Sequence, residues 1–355
     1  MIDLPQVRIV ATTGSTNDDA RELARAGAPQ GTAVAARAQS GGRGRRGHAW
    51  ASPEGGLYLS VVLRPGVGPQ HFVGLPAVCA LGALRAVREA TRLGARVGIK
   101  WPNDLVIDNR KLAGLLVEAG AGEGGPFAVL GIGINLARPG EAPRATGPAA
   151  SEGASGGTAV DAGSVALGEA AGDAGADTVV APAAGGACVG MPTRPGALGA
   201  AGSADLDMPG VGAPDVDPAA LGVSDVGTPC PQATPASPCA LAPAYLSDEL
   251  PAGELPSFEK LAELVRDRVV EACDAWAADV RAGRAKAGPL APILSEYFDC
   301  VPMLGHQAMA LSPEGAEICR GAFVAVDVWG RVTIHTATGH DVVLAAEQAS
   351  LRPLE

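Results

Sequence analysis

The stretch Gln39-Ser-Gly-Gly-Arg-Gly-Arg-Arg-Gly-His-Ala-Trp50 concentrates groups able to do chemistry. Arg43, Arg45 and Arg46 are planar, permanently charged donors suited to phosphate and carboxylate. Gly41, Gly42, Gly44 and Gly47 let the backbone come close to a ligand and change conformation. Together they predict a mobile anion clamp. Gly42-x-Gly44-x-x-Gly47 also matches the dinucleotide fingerprint, but Pro53, Gly55 and Gly56 deny it the helix whose N-terminus would hold a pyrophosphate. An arginine-glycine segment for RNA would be repeated and interleaved with aromatics, and here a single copy sits between strands. A plain solvated loop stays open, although three crowded guanidinium groups repel one another unless an anion gathers them.

Other candidates each have two readings. Ser15, Thr16 and Asn17 open a helix and present hydroxyls, an amide and free backbone N–H groups, either to a ligand or as ordinary caps. Gln39 can pair with a polar ring edge or stand as an exposed loop amide. Lys111 lies among Leu112, Ala113, Leu115 and Leu116, as an edge-strand protector or as a charge held for a reacting anion. Asn103 and Asp104 follow Pro102 at a turn entering a strand. Gly131, Gly133 and Asn135 interrupt an apolar strand, which marks either a bulge or a ligand's close approach. Trp50 and Trp101 offer faces for a ring, or anchor the core.

The elements that must position these residues alternate along the chain. Strands are expected at VRIVAT, TAVAARA and LYLSVVL, with a helix from about residue 17 to 26 after the first. A helix follows over Leu75–Arg92, with Leu75, Val78, Cys79, Leu81, Leu84 and Val87 at helical spacing. Next come VGIKW, the pair DLVID and KLAGLLVEA turned by Asp108, Asn109 and Arg110, and FAVLGIGINL. This reads as an α+β domain with a mixed sheet. Later, FEKLAELVRDRVVEACDAWAADV is an amphipathic helix, and a shorter one ends near Phe298. Four short strands (MLGHQAMAL, EICRGAFVAVDV, RVTIHTA, DVVLAA) then predict a small C-terminal β-barrel.

The chain has 355 residues and a net charge of −11, but residues 139–256 alone carry −12 and the remainder +1. A field repelling nucleic acid therefore belongs to one segment. That segment lacks lysine, holds one aromatic (Tyr245), and is expected to be a disordered Ala/Gly/Pro-rich acidic insertion, the alternative being a small Ala/Gly-rich domain. The expected domains are thus 1–138 and 257–300 for the catalytic part and 301–355 for the barrel. Neither a signal peptide nor a membrane span is read. Seven cysteines, without metal-ligand spacing, suggest reduced thiols in a cytoplasmic protein.

GRGRRGHAW resembles the glycine-arginine loop of biotin protein ligases, usually GRGRRGRxW. STN at 15–17, KWPNDL at 100–105, RKLAGLLVE at 110–118 and GIGINL at 131–136 match that family in the same order. The resemblance implies a class II synthetase-like fold of the biotin/lipoate ligase kind, with an SH3-like barrel. It implies ATP and biotin as substrates, Mg²⁺, a biotinyl-adenylate intermediate, and transfer of biotin to a lysine of a carrier protein. Arg43, Lys111 and Asp104 would be catalytic, with Asp104 also a candidate Mg²⁺ contact. Ser15, Thr16, Asn17, Gln39, Gly42, Arg43, Gly44, Arg45, Lys111 and Gly114 would bind biotin. Arg45, Arg46, His48, Trp50, Asn103, Gly133 and Asn135 would bind the nucleotide. His48 departs from the family pattern, where a further arginine stands. Some family members add an N-terminal DNA-binding domain; here the matched region starts within ten residues of Met1, so no DNA partner is expected. A homodimer through a sheet edge is left open, as are a lipoate ligase and a non-catalytic biotin sensor.

Overall fold

The computed structural model describes residues 4–47, 49–140 and 241–354. The first of these segments run as β1 (Arg8–Thr13), α1 (Thr16–Arg25), β2 (Ala33–Gln39), β3 (Gly56–Leu63), α2 (Leu75–Thr91), β4 (Val97–Lys100), β5 (Asp104–Ile107), β6 (Arg110–Gly122) and β7 (Gly125–Asn135). The sheet order is β1-β2-β3-β7-β6-β5-β4, with β1 and β2 parallel and every other neighbouring pair antiparallel. This is the expected mixed sheet. Asp108 and Asn109 both take positive φ (48° and 61°), a conformation their short polar side chains tolerate, and this turns β5 into β6.

Helix α2 packs against α4 (Phe258–Arg281), which Ser257 caps by accepting a hydrogen bond from the Lys260 amide at 3.3 Å. All six residues expected at helical spacing in α2 are buried, and so are Leu261, Val265, Val269, Cys273 and Trp276 of α4. Burying each large side chain of this kind stabilises the fold by about 1.5–3 kcal/mol. The two helices approach closely at Gly82, where a Cβ would lie 2.7 Å from the Val269 Cα. By length and composition Pro69–Thr91 could cross a membrane, yet 72% of its apolar window is buried inside the protein, as a core helix would be. Cys79, Cys273 and Cys300 are free and buried, and burial pushes the Cys273 thiol up to about 12.

The expected right-hand boundary of the insertion, at residue 256, is corrected. The described residues include Leu241 onward, and Ala244 and Leu246 are fully buried around a short helix α3 (Leu246–Glu249). The rest of that segment, 141–240, lies outside the described residues, as does His48. The described residues all fall in one compact unit.

After α5 (Leu294–Asp299) come β8 (Gln307–Leu311), β9 (Glu317–Val326), β10 (Val332–Thr336), β11 (Asp341–Leu344) and β12 (Ser350–Pro353). They form a five-stranded antiparallel sheet in the order β11-β10-β9-β8-β12. The strand β12 was not anticipated, because Arg352 and Pro353 break any apolar alternation. This sheet is tied to the large one where the Trp101 indole N–H donates to the Gly330 carbonyl at 2.9 Å. Trp101 is therefore a core anchor, 2% exposed.

Candidate functional site

A cavity of about 640 Å³ opens where α1, the arginine loop, β5–β7 and the C-terminal sheet meet. One end is built of neutral polar groups. Ser15, Thr16 and Asn17 start α1 and are all buried, so their groups must find partners. The Gln39 Oε1 at the end of β2 accepts from the Thr16 amide at 2.8 Å and from its hydroxyl at 3.1 Å. The Gln39 side-chain amide donates to Ser52 Oγ at 3.0 Å. Ser60, fully buried on β3, lies within donating distance of Thr16 Oγ1 (2.8 Å) and Asn17 Oδ1 (2.6 Å). Asn17 Nδ2 donates to Glu118 Oε2 at 2.8 Å. Ser15 makes no side-chain capping bond to its helix, which leaves its hydroxyl to the cavity it lines.

Glycines in this wall make room for protein side chains. A Cβ on Gly131 would sit 2.0 Å from Asn17 Oδ1, and one on Gly133 would sit 2.6 Å from Trp50 Nε1. Gly114, paired with Gly133 across β6 and β7, would collide with the same indole at 2.8 Å. The close approach expected at Gly131 and Gly133 is thus made by Asn17 and Trp50.

The opposite end is cationic. Lys100 closes β4 and faces Asp104 at the start of β5 in the ladder register. Lys111 Nζ stands 2.8 Å from Asp104 Oδ1, and Lys100 Nζ 3.7 Å from Oδ2. Burial lowers the Lys100 pKa, Asp104 works against that, and Lys111 and Arg352 add to it. Lys111 also stands over the Trp50 ring, 4.8 Å from its centroid. From β12, Arg352 enters the lining with its Nε and Nη2 buried and without a hydrogen-bond partner among the described residues. Two ammonium groups on one buried carboxylate, with Arg352 near enough to repel Lys100, leave an excess of positive charge that an anion would relieve.

The arginine loop bridges the two ends. Arg43 pairs with Asp18 at 2.7 Å and Glu118 at 3.3 Å. Arg45 donates to Asn103 Oδ1 at 3.2 Å and to the Ala346 carbonyl, and Arg46 donates to the carbonyls of Ala346 (2.7 Å) and Ala349 (3.0 Å). Burial, and then Arg46 beside it, lowers the Arg45 pKa. Instead of an open clamp, the loop holds each arginine on a protein oxygen.

Of the residues anticipated from sequence, Ser15, Thr16, Asn17, Gln39, Arg43, Gly44, Arg45, Arg46, Trp50, Asn103, Asp104, Lys111, Gly114 and Gly133 do line the cavity. Two do not. Gly42 closes the loop: its carbonyl accepts from the Trp50 amide at 2.9 Å, and a Cβ there would meet Ser52 Oγ at 2.3 Å. Asn135 lies outside the lining and donates its amide to the Lys111 carbonyl at 3.2 Å. Sequence reasoning missed Ser60, Lys100 and Arg352. A lone hydroxyl in the apolar run LYLSVVL was a signal for Ser60, and Lys100 stood inside a motif already singled out.

Among the described residues no cluster of three or more His, Cys, Asp or Glu suits a metal. Asp104 carries ammonium groups on both oxygens, so these residues do not by themselves make a site for Mg²⁺.

Residues 10–135 match the model of the biotin/lipoate A/B protein ligase family. The biotin-(acetyl-CoA-carboxylase) ligase of Paracoccus denitrificans is 40% identical over 153 residues, 42% of this chain and 63% of that protein. The bifunctional ligase/repressor BirA of Escherichia coli is 47% identical over 111 residues, 30% of this chain and 33% of that one. The matched part thus spans less than two thirds of these relatives. The fold is shared with the biotin protein ligase of Aquifex aeolicus solved with biotin and ATP, at a TM-score of 0.57 and 18% identity over 99% of this chain and all of that one. Residues 10–135 are thus similar to the biotin/lipoate A/B protein ligase family over about a third of this chain.

Proposed function

We propose that the chain activates biotin with ATP as biotinyl-adenylate and transfers the biotin to a lysine of a carboxylase carrier protein. The observation that carries this reading is the division of one cavity into a neutral polar end and a cationic end. The Ser15, Thr16, Asn17 and Gln39 groups that line the cavity offer both donors and acceptors to a ureido ring, with Ser60 behind them bonded to Thr16 and Asn17, and Trp50 offers an apolar face to the thiophane. At the far end Lys111, Arg45, Arg46 and Arg352 would spread the charge that develops as the biotin carboxylate attacks the α-phosphorus and pyrophosphate leaves. In the second step the carrier amine would attack the acyl carbon, AMP would depart, and Asp104 would take the amine's proton. Bound Mg²⁺ would add charge neutralisation at the phosphates. Holding the arginine loop over the cavity would keep the adenylate from water.

We read the C-terminal sheet as the small SH3-like barrel that completes the nucleotide end. The test is mass spectrometry of a biotin-carrier domain incubated with the full chain, ATP, Mg²⁺ and biotin. A gain of one biotin on one lysine is expected. Release of pyrophosphate without transfer, or a gain of lipoate in preference to biotin when both acids compete, would overturn it.

A further inference from the structure

The backbone around Lys111 is held in an unusual way. Strand β7 pairs with β6 only from Ala113 onward, so Lys111 lies past the end of that ladder. The chain that returns at Leu241 takes over there as a parallel bridge between Lys111 and Pro243. The Lys111 amide donates to the Ala242 carbonyl and the Lys111 carbonyl accepts from the Ala244 amide, each at 2.8 Å. Beyond the bridge, the Ser247 amide donates to the Leu136 carbonyl at 2.8 Å, which fixes α3 against the end of β7. Glu249 at the end of α3 then pairs with Arg110, the residue before Lys111, and with Arg96, at 2.6 and 2.7 Å. Arg96 holds Asp108 in the β5–β6 turn at 2.6 Å. The Glu249 side chain is 8% exposed, so its two arginines are its partners in place of water.

We propose that residues 242–249 form a clasp that positions Lys111, with Glu249 as its charged anchor. The proposal rests on the reading that Lys111 serves adenylate formation. Lys111 needs such help, because its ammonium must stay within reach of Asp104 and of a reacting anion while its strand has lost one neighbour. The clasp restores that neighbour. Glu249 touches neither the cavity lining nor any group placed at the polar end, so it acts through the backbone of residues 110 and 111.

The test compares Glu249→Ala, Glu249→Gln, Lys111→Ala and the Lys111→Ala/Glu249→Ala double variant of the full chain. Pyrophosphate release in a single turnover with biotin and ATP reports adenylate formation, and calorimetry reports biotin affinity. Each Glu249 variant is expected to slow release roughly tenfold, because a small misplacement of a catalytic group costs one to two orders of magnitude in rate. Biotin affinity should hold, since Thr16, Asn17, Ser60 and Gln39 are anchored elsewhere. Added to Lys111→Ala, Glu249→Ala should cost nothing further. A rate unchanged in the single variants, a parallel loss of biotin affinity, or a full multiplication of the two losses would each overturn the clasp. If Glu249→Ala does not fold, Glu249→Gln, which keeps shape and polarity, carries the test alone and combined with Lys111→Ala. A normal rate in Lys111→Ala by itself would instead remove the role of Lys111, and is read without any Glu249 variant.

Discussion

The two ends of the cavity differ in how their polar groups are satisfied. At the neutral end, α1, β2 and β3 supply hydroxyls and amides that bond one another at 2.6–3.1 Å, so the shape is set before any ligand arrives. At the cationic end, three strands, a loop and the C-terminal sheet bring positive groups together with one carboxylate between them. In the proposed reaction the first end would recognise by pre-organisation, and the second would be completed by an anion. Binding and chemistry should therefore separate under mutation.

The largest separation is expected for Lys111→Ala. Adenylate formation should fall by at least about a hundredfold, the scale of losing one electrostatic stabiliser of a developing charge. Biotin affinity measured by calorimetry should change little. If affinity fell as far as the rate, the two ends would not be independent.

Ser60→Ala tests the opposite end. The hydroxyl is fully buried and faces both Thr16 and Asn17, and leaving such partners unsatisfied costs about 1–3 kcal/mol. The chain should lose about that much stability to denaturant, and biotin should bind more weakly because Ser60 orients Thr16 and Asn17, while the single-turnover rate at saturating biotin stays near normal. A slowed rate with unchanged affinity would invert the comparison.

The two ends also differed in how far the sequence exposed them. Ser15, Thr16 and Asn17 were legible only through the resemblance, because by themselves such residues opening a helix read as ordinary caps, and β4–β7 were legible from alternation and the Asp108-Asn109 turn. Ser60 was hidden by its own strand: alternation places it among core side chains, where a single hydroxyl passes as filler. Arg352 was hidden by distance, since nothing local says that a strand near residue 350 reaches a loop near residue 45. The clasp was hidden by composition. Leu241-Ala-Pro-Ala-Tyr-Leu246 continues the Ala/Pro-rich character of the stretch before it, and what folds it is burial of Ala244 and Leu246 and bonding to Lys111, all long-range. Gly131 and Gly133 were seen, but sequence does not reveal whether ligand or protein fills the space a glycine leaves.

The smallest effect belongs to the anchor of the cationic end, and it depends on pH. Burial alone would raise the Glu249 pKa, but hydrogen bonds from Arg110 and Arg96 outweigh it and hold the carboxyl below its ordinary value. In the unfolded chain a glutamate titrates near ~4.3. A group whose folded pKa is depressed contributes stability that is fully present above the unfolded value and is lost as pH falls through the folded one. Chemical denaturation of the native chain and of Glu249→Gln should therefore show a constant gap from pH 7 down to about 5. Below that the gap should narrow, and it should close once the pH has passed beneath the depressed folded pKa. Because the acid limb isolates ionisation of this one carboxylate, other groups titrating in both proteins cancel from the difference. A gap that persists unchanged at pH 3 would mean that glutamine disrupts packing around α3, and that Glu249 does not hold the clasp by its charge.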